Sequence, residues 1–244
     1  MNIVATIEAR MTSSRLPGKV MLPALGEPMI GHLIRRLKSV PSINDIVVAT
    51  TVNKTDDVLV DFLTTRGVKV FRGSELDVMG RVIGAGESAH ADILVEITGD
   101  CPIIDPDIVE QTVRTFLANT ATYVANNHIK SFPDGMDTQV FPLSALQKSA
   151  AMTTAPIDRE HVSLHIRRHP ELFPHIYLVA PPSLHCPGLG LTLDEPADYE
   201  FIKTLIERLT PKNRNFGCGD VLDIIRKNPN LQSVNQHVQR KGDA

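Results

Sequence analysis

The chain has 244 residues, 42% of them apolar, and a formal net charge of −3. That is enough for one large domain, or a domain carrying a sizeable insertion, and a general nucleic-acid surface is disfavoured because it needs a basic excess. Three scattered cysteines, Cys101, Cys186 and Cys218, exclude a disulfide framework or a zinc knuckle and fit the reducing cytoplasm.

The N-terminus runs directly into an apolar stretch with no signal peptide, and no apolar run approaches the ~20 residues that span a bilayer. Residues 3–7 read as a buried strand. Residues 28–38 read as a helix with Pro28 in its first turn and Ile30, Leu33, Ile34 and Leu37 on one face. A second strand over 46–49 leads to a helix over 56–65 capped by Thr55. A third strand over 68–71, a helix over 78–89 and a fourth strand over 93–97 follow. Asp105 and Pro106 then start a helix that reaches about residue 117.

This alternation predicts an α/β fold, a mostly parallel Rossmann-like sheet flanked by helices. The rhythm breaks over 126–190, a stretch rich in Pro and His. It reads as an inserted α+β subregion with a hairpin near 138–141 and a helix over 158–169. The pattern resumes at 191–193, with Asp194 as the cap of a helix reaching Leu209, and a last amphipathic helix covers 220–227. Residues 235–244 are polar and expected to fray.

In such folds ligands bind beyond the carboxyl ends of the strands. The first strand leads straight into Arg10, Ser13, Ser14, Arg15, Pro17, Gly18 and Lys19. Three cations, paired hydroxyls and a Pro-Gly turn make a phosphate-binding loop, the alternative being a charged surface turn. Its spacing is not that of a Walker loop. Asp100, just past the fourth strand, is placed either to hold a divalent cation beside phosphates or to bond its own turn. Asp194 is a helix cap that can double as a second metal ligand. Asp134, Asp137 and Gln139, with Arg159, Glu160 and His161, suggest a second-substrate site; a Pro-Asp-Gly turn and an exposed helix start are the plainer alternative. His161, His165 and His169 share one face of the expected helix, but without supporting carboxylates they read as ordinary neighbours rather than a metal site.

The run Arg10-x-x-Ser-Ser-Arg-Leu-Pro-Gly-Lys19, followed by Gly26-x-Pro-Met-Ile30, resembles the opening of the CMP-sugar cytidylyltransferases, which activate Kdo and sialic-type acids. Phe71-Arg-Gly73, Gly99-Asp-Cys-Pro102, Asp134-Gly-x-Asp137, Arg159-Glu-His161 and Asp194-x-Pro-x-Asp-Tyr199 resemble the SpsF-type spore-coat polysaccharide branch of that group. The resemblance covers nearly the whole chain and implies a nucleotide-diphospho-sugar transferase type of fold. It further implies that Arg10 and Lys19 hold the triphosphate of CTP with Ser13, Ser14, Arg15 and Gly18, that Ala9 faces the base, and that Arg72 contacts nucleotide or phosphate. Asp100 and Asp194 would be the Mg²⁺ carboxylates.

The implied reaction moves CMP to a sugar acid and releases pyrophosphate, with Arg159 as the partner of the acceptor carboxylate. A glycosyltransferase of the same fold and a non-catalytic nucleotide-binding module are the alternatives. Related enzymes also pair through the insertion, so Phe132, Phe141, Phe173 and Tyr177 suggest a homodimer; otherwise they fill the insertion's own core.

Overall fold

The structure, a computed structural model, describes residues 1–239. Strand β1 (Ile3–Glu8) is followed by a short 3₁₀ turn (Lys19–Met21), a two-strand ribbon of β2 (Pro23–Ala24) and β3 (Glu27–Pro28), and helix α1 (Met29–Leu37). Then come β4 (Asp45–Thr51), α2 (Asp57–Thr65), β5 (Lys69–Gly73), α3 (Val78–Ser88), β6 (Ile93–Thr98) and α4 (Pro106–Leu117). The middle of the chain supplies β7 (Tyr123–Ala125), β8 (Gln139–Pro142), α5 (Leu143–Met152), α6 (Pro156–Glu160), α7 (Leu164–Arg168) and β9 (His175–Tyr177). Helices α8 (Pro196–Leu209) and α9 (Cys218–Lys227) close the described chain, with a final 3₁₀ stretch (Pro229–Val234).

Among the described residues, seven strands form one sheet in the order β5-β4-β1-β6-β8-β7-β9. The first four sequential strands of that sheet pair in parallel, whereas β8 runs antiparallel to both β6 and β7. A strand buried on both faces must be apolar on both, and β1 and β6 are nearly so. Ile3, Ala5, Ile7, Val95 and Ile97 pack beneath α1, α2 and α4. Val4 and Leu94 face the other way, against α3 and α5. A third apolar cluster joins α8 and α9 to the loops around Met136 and Leu191.

Several expected local features take a different form. The strand at 139–142 belongs to the main sheet, wedged between β6 and β7, and not to a separate local hairpin. The reason is its side chains: Val140 packs on one face of the sheet and Phe141 on the other, which demands neighbours on both sides. The helix expected over 158–169 is broken at His161, Val162 and Ser163, because Ser163 turns inward to donate to Gln139 Oε1 (2.6 Å). His161 and His165 therefore do not continue one helical face. Residues 191–193 form no strand; Leu191 N donates to Asp134 O (2.7 Å) and Leu193 N to Asp100 O (2.8 Å).

Two caps also move. Asp56, not Thr55, occupies the N-cap of α2, and its carboxylate points into the core. Glu195 and Asp198 form the capping box of α8, which releases Asp194 from that duty. Phe132, Phe141 and Phe173 are buried in the chain's own cores, and Tyr177 stacks on His128 with ring centroids 4.2 Å apart. Of the stretch expected to fray, residues 240–244 lie outside the described residues. Asn235, by contrast, is buried and donates to Gly190 O (3.0 Å) and Asp198 Oδ1 (2.9 Å). No helix among the described residues is long and apolar enough to cross a membrane.

Candidate active site

Strands β1 and β6 are neighbours with Glu8 opposite Thr98, so the segments leaving their carboxyl ends lie side by side. Between them opens a cavity of about 410 Å³. The loop after β1 wraps its rim. Gly18 has φ +72°, a left-handed conformation that glycine adopts without steric cost, and its N–H closes the loop onto Met11 O (2.8 Å). Met11 N in turn donates to Asp56 Oδ1 (2.8 Å). Asp56 Oδ2 accepts from Thr50 Oγ1 (2.8 Å), Thr51 N (3.0 Å) and Thr51 Oγ1 (2.6 Å). The inward-facing carboxylate thus staples the loop to the end of β4. Burial raises its pKa, but the bonds from Thr51, Met11 and Thr50 outweigh that and hold it below the usual value.

The charged centre of the cavity is Lys19. Its Nζ lies 3.1 Å from Asp100 Oδ2 and 3.1 Å from Asp194 Oδ1, and Arg15 Nη2 lies 2.9 Å from the same Asp194 oxygen. Burial pulls the Lys19 ammonium down, yet Asp100 and Asp194 together raise its pKa above the ordinary lysine value. Burial likewise pushes Asp100 up, and the Lys19 charge with the Thr98 hydroxyl overcomes it and leaves the carboxyl below its usual range. Two carboxylates from distant parts of the chain thereby converge on one point. Arg10 rests on Glu75 (3.0 Å), which also accepts from Thr12 Oγ1 (2.6 Å) and Asn53 Nδ2 (2.7 Å).

Of the residues singled out in the sequence, Ala9, Arg10, Ser13, Ser14, Arg15, Lys19, Asp100, Asp137, Gln139, His161 and Asp194 line this one cavity. Gly18 shapes the loop without lining it. Three others stand elsewhere. Arg72 is engaged with Thr51 O (2.8 Å), Asn53 O (2.8 Å) and Asp57 Oδ1 (2.7 Å), outside the cavity wall. Arg159 bonds Asp77 Oδ2, the cap of α3, and is likewise absent from the wall. Asp134 holds the loop at Leu189 and Leu191 through its backbone, and Gly135 beside it has φ +98° with Leu191 against it. Among the described residues no three His, Cys, Asp or Glu side chains cluster to hold a metal, so the three-histidine grouping does not form one.

Sequence reasoning missed the cavity floor. Glu8, Arg81, Glu96, Ser163 and Arg167 all line it. Glu96 accepts from Gln139 Nε2, while Gln139 Oε1 accepts from the Tyr123 and Ser163 hydroxyls. Burial, with the Glu96 charge behind it, pushes the Glu8 carboxyl well above the usual carboxylate range, against the opposing pull of Arg81. Its Oε1 has no protein partner. The signal was available: an acid inside an otherwise apolar buried strand costs several kcal/mol in order of magnitude unless something pairs with it.

The sequence matches the family described as Cytidylyltransferase over residues 4–215. It is 30% identical to the spore coat polysaccharide biosynthesis protein SpsF of Bacillus subtilis, over 93% of this chain and 95% of that one. It is 34% identical to an uncharacterized protein of Methanocaldococcus jannaschii, covering 99% and 97% of the two chains. Among solved structures, a cytidylyltransferase from Leptospira borgpetersenii serovar Hardjo-bovis superposes with a TM-score of 0.90 at 32% identity, covering 99% of this chain and 100% of that one. A CMP:2-keto-3-deoxy-manno-octonic acid synthetase complexed with CTP shares the fold at a TM-score of 0.64 and 20% identity, over 86% of this chain and 100% of that one. With a cationic loop at the end of β1 facing carboxylates gathered from two other segments, and with these matches along nearly its whole length, the chain belongs to the cytidylyltransferase family and is a nucleotidyltransferase.

Proposed function

We propose that the protein transfers CMP from CTP to a hydroxyl of a sugar acid of the 2-keto-3-deoxy or sialic type and releases pyrophosphate, in the synthesis of a surface polysaccharide or glycoconjugate. The observation that carries this reading is the convergence of Asp100 and Asp194 on Lys19 at the centre of the cavity, with Arg15 beside them. A triphosphate needs several cations, and a transferase needs acids that do not repel it when it arrives. Here each set neutralises the other until substrate enters.

The residues also fit Mg²⁺. Asp100 and Asp194 each place one oxygen 3.1 Å from a single nitrogen, so the two carboxylates address one point. Hard carboxylate oxygens in that number are what Mg²⁺ takes alongside phosphate oxygens and water. Bound there, the ion would neutralise phosphate charge and polarise the α-phosphate.

In the proposed reaction, the acceptor oxygen forms its bond to the α-phosphorus while the bond to the β-phosphate oxygen breaks. Pyrophosphate leaves with that electron pair, and the hydroxyl proton passes to solvent. Such chemistry rests on positioning and charge stabilisation. Arg10, Arg15 and Lys19 stabilise the departing pyrophosphate, and the Ser13 and Ser14 hydroxyls donate to phosphate oxygens. Ala9 lies where the base meets the end of β1. His161, Asp137 and Gln139, which line the same cavity, meet the acceptor in this reading, and Arg167, a lining cation where Arg159 is not, pairs with its carboxylate.

The test is pyrophosphate release from CTP across a panel of sugar acids. Release that requires Mg²⁺ and falls at least a hundredfold in Asp100→Ala supports the reading. Release of a nucleoside diphosphate from a nucleotide sugar, or a rate in Asp100→Ala within a few-fold of the parent, overturns it.

A further inference from the structure

A second cavity, of about 540 Å³, lies behind the nucleotide loop and shares no lining residue with the first. Its walls come from the β2–β3 ribbon, α1, α2 and the chain after α8. Ile34 and Val68 give it a buried apolar floor, joined by Phe62 and Leu25. Its charge is one-sided. Glu27 is the one acid of the wall, and Arg66 takes both its oxygens, at 3.1 and 3.0 Å. Arg35, Lys38 and Arg214 remain, and among the described residues none of the three has a carboxylate partner.

Arg35 instead donates to the carbonyl of Arg214 (2.8 Å) and approaches His32 Nδ1 (3.4 Å). Burial lowers its pKa and the like charge of Arg214 lowers it further, against the weaker opposing pull of Glu27. His32 donates from Nε2 to Ala24 O (2.9 Å), which leaves its Nδ1 facing Arg35 as an acceptor. Thr210 adds a buried hydroxyl with no partner. Arg66 also lies over the Phe62 ring, 5.0 Å from its centroid, a flat cationic-aromatic wall.

The four cations of the wall outnumber its one acid, Glu27, which Arg66 already engages, and like charges held together in excess cost free energy that an arriving anion recovers. The volume sits inside the range of about 300–1,000 Å³ typical of small-molecule sites, and an apolar floor with a few convergent polar groups is their usual make-up. We propose that this cavity binds a small anion with a flat or branched apolar body, a carboxylate or a phosphate monoester, at a site separate from the nucleotide pocket. The head group lies among Arg35, Lys38, Arg214 and the Thr210 hydroxyl, and the body lies on Phe62, Ile34 and Val68. The ribbon that forms one wall continues directly from Lys19–Met21, and Met29 N at the start of α1 donates to Leu22 O (2.9 Å).

The test uses the whole protein with its nucleotide pocket saturated by CTP. Phenyl phosphate, benzoate and benzyl alcohol are titrated by calorimetry and thermal shift against the parent and the Lys38→Ala/Arg214→Ala double variant, both sites being exposed. The anions are expected to bind and raise the melting temperature, and the neutral alcohol is not. Affinity in the double variant is expected to fall at least about tenfold while its CTP response stays unchanged; the stronger of the two anions identifies the head group. Three results would each overturn the proposal: no response to either anion, an equal response to benzyl alcohol, or undiminished binding in the double variant. The last would place the anion elsewhere. Thr210→Val serves as an independent variant, expected to weaken anion binding and to leave the CTP response unchanged.

Discussion

Lys19 sits between two carboxylates, and its effect on each can be read from the direction of the pKa shifts. Asp100 titrates below its ordinary value, so the stabilisation it gains in the fold is present above the unfolded carboxylate pKa and is lost as the pH falls through the depressed one. Lys19 titrates above its ordinary value, so its share is complete below the unfolded lysine pKa and is lost as the pH rises through the raised one. Replacing Lys19 by Met removes both shares at once. Urea titrations of parent and Lys19→Met across pH should show a difference that is flat through neutrality and shrinks at both ends. The same variant should lose about 10²-fold or more in pyrophosphate release, the usual cost of removing a group aimed at developing charge. A stability difference that grew in acid would contradict the assigned pairing. At this scale the gathering of the loop residues with Asp100 and Asp194 at one cavity was legible, because charge density next to an apolar strand is a local signal. The placing of Arg72 and Arg159 outside that cavity was not legible, since their partners Asp57 and Asp77 are supplied by neighbouring turns that local charge density does not disclose.

Helix α2 and the loop after β1 are tied together by one side chain. Asp56 is buried and accepts four hydrogen bonds, one of them from the loop at Met11 and three from the end of β4. An asparagine of the same shape presents an NH₂ where an oxygen now accepts, leaving a buried donor facing a donor. Hydrogen bonds to a charged group are worth roughly 1.5–3 kcal/mol each, so Asp56→Asn should cost about that much at neutral pH. The Asp56 pKa is depressed, so this contribution exists above the unfolded carboxylate pKa and fades as the pH drops through the folded one; the gap between parent and variant should narrow in acid. Because Met11 N loses its anchor, CTP affinity should weaken as well, measurable by calorimetry. Stability lost without any loss of CTP affinity would mean that the loop is held by other contacts. Thr55 looked like the cap of this helix because hydroxyl-then-acid is the common local pattern. What overrode it is tertiary: the segment first makes a 3₁₀ turn, Lys54–Asp56, which carries the acid inward to meet Thr50 and Thr51. The break at His161–Ser163 has the same origin, since Ser163 serves Gln139 across the sheet. Parallel strands and their helices were legible from periodicity, which is local, whereas pairing partners such as β6 for β8 were not.

Over the whole molecule, the end of the described chain reaches back to the candidate active site. Asn235 is buried against α8, and its amide donates to Asp198 Oδ1 (2.9 Å) and Gly190 O (3.0 Å). The other oxygen of Asp198 accepts from Asp194 N (3.2 Å) and Glu195 N (2.9 Å). Asp198 therefore orients the backbone that presents the Asp194 carboxylate to Lys19 and Arg15, and Asn235 orients Asp198. Composition gave no hint of this, because the polar tail carries no apolar period and its role is a single amide placed by the fold. Asn235→Ala removes two hydrogen bonds from a buried site, each worth roughly 0.5–1.5 kcal/mol net, so a loss of about 1–3 kcal/mol is expected. The activity readout separates positioning from mere packing. If Asn235 holds Asp194 in place through Asp198, kcat for pyrophosphate release should fall several-fold, with the KM for CTP moving less, at a temperature where the variant is fully folded. If the tail only packs, the melting temperature will drop and kcat will not. The comparison can be sharpened by truncating the chain after Lys227, which removes the Asn235 amide together with the 3₁₀ stretch that carries it. A truncated protein that keeps full turnover while folded would show that Asp198 needs no support from the tail to place Asp194.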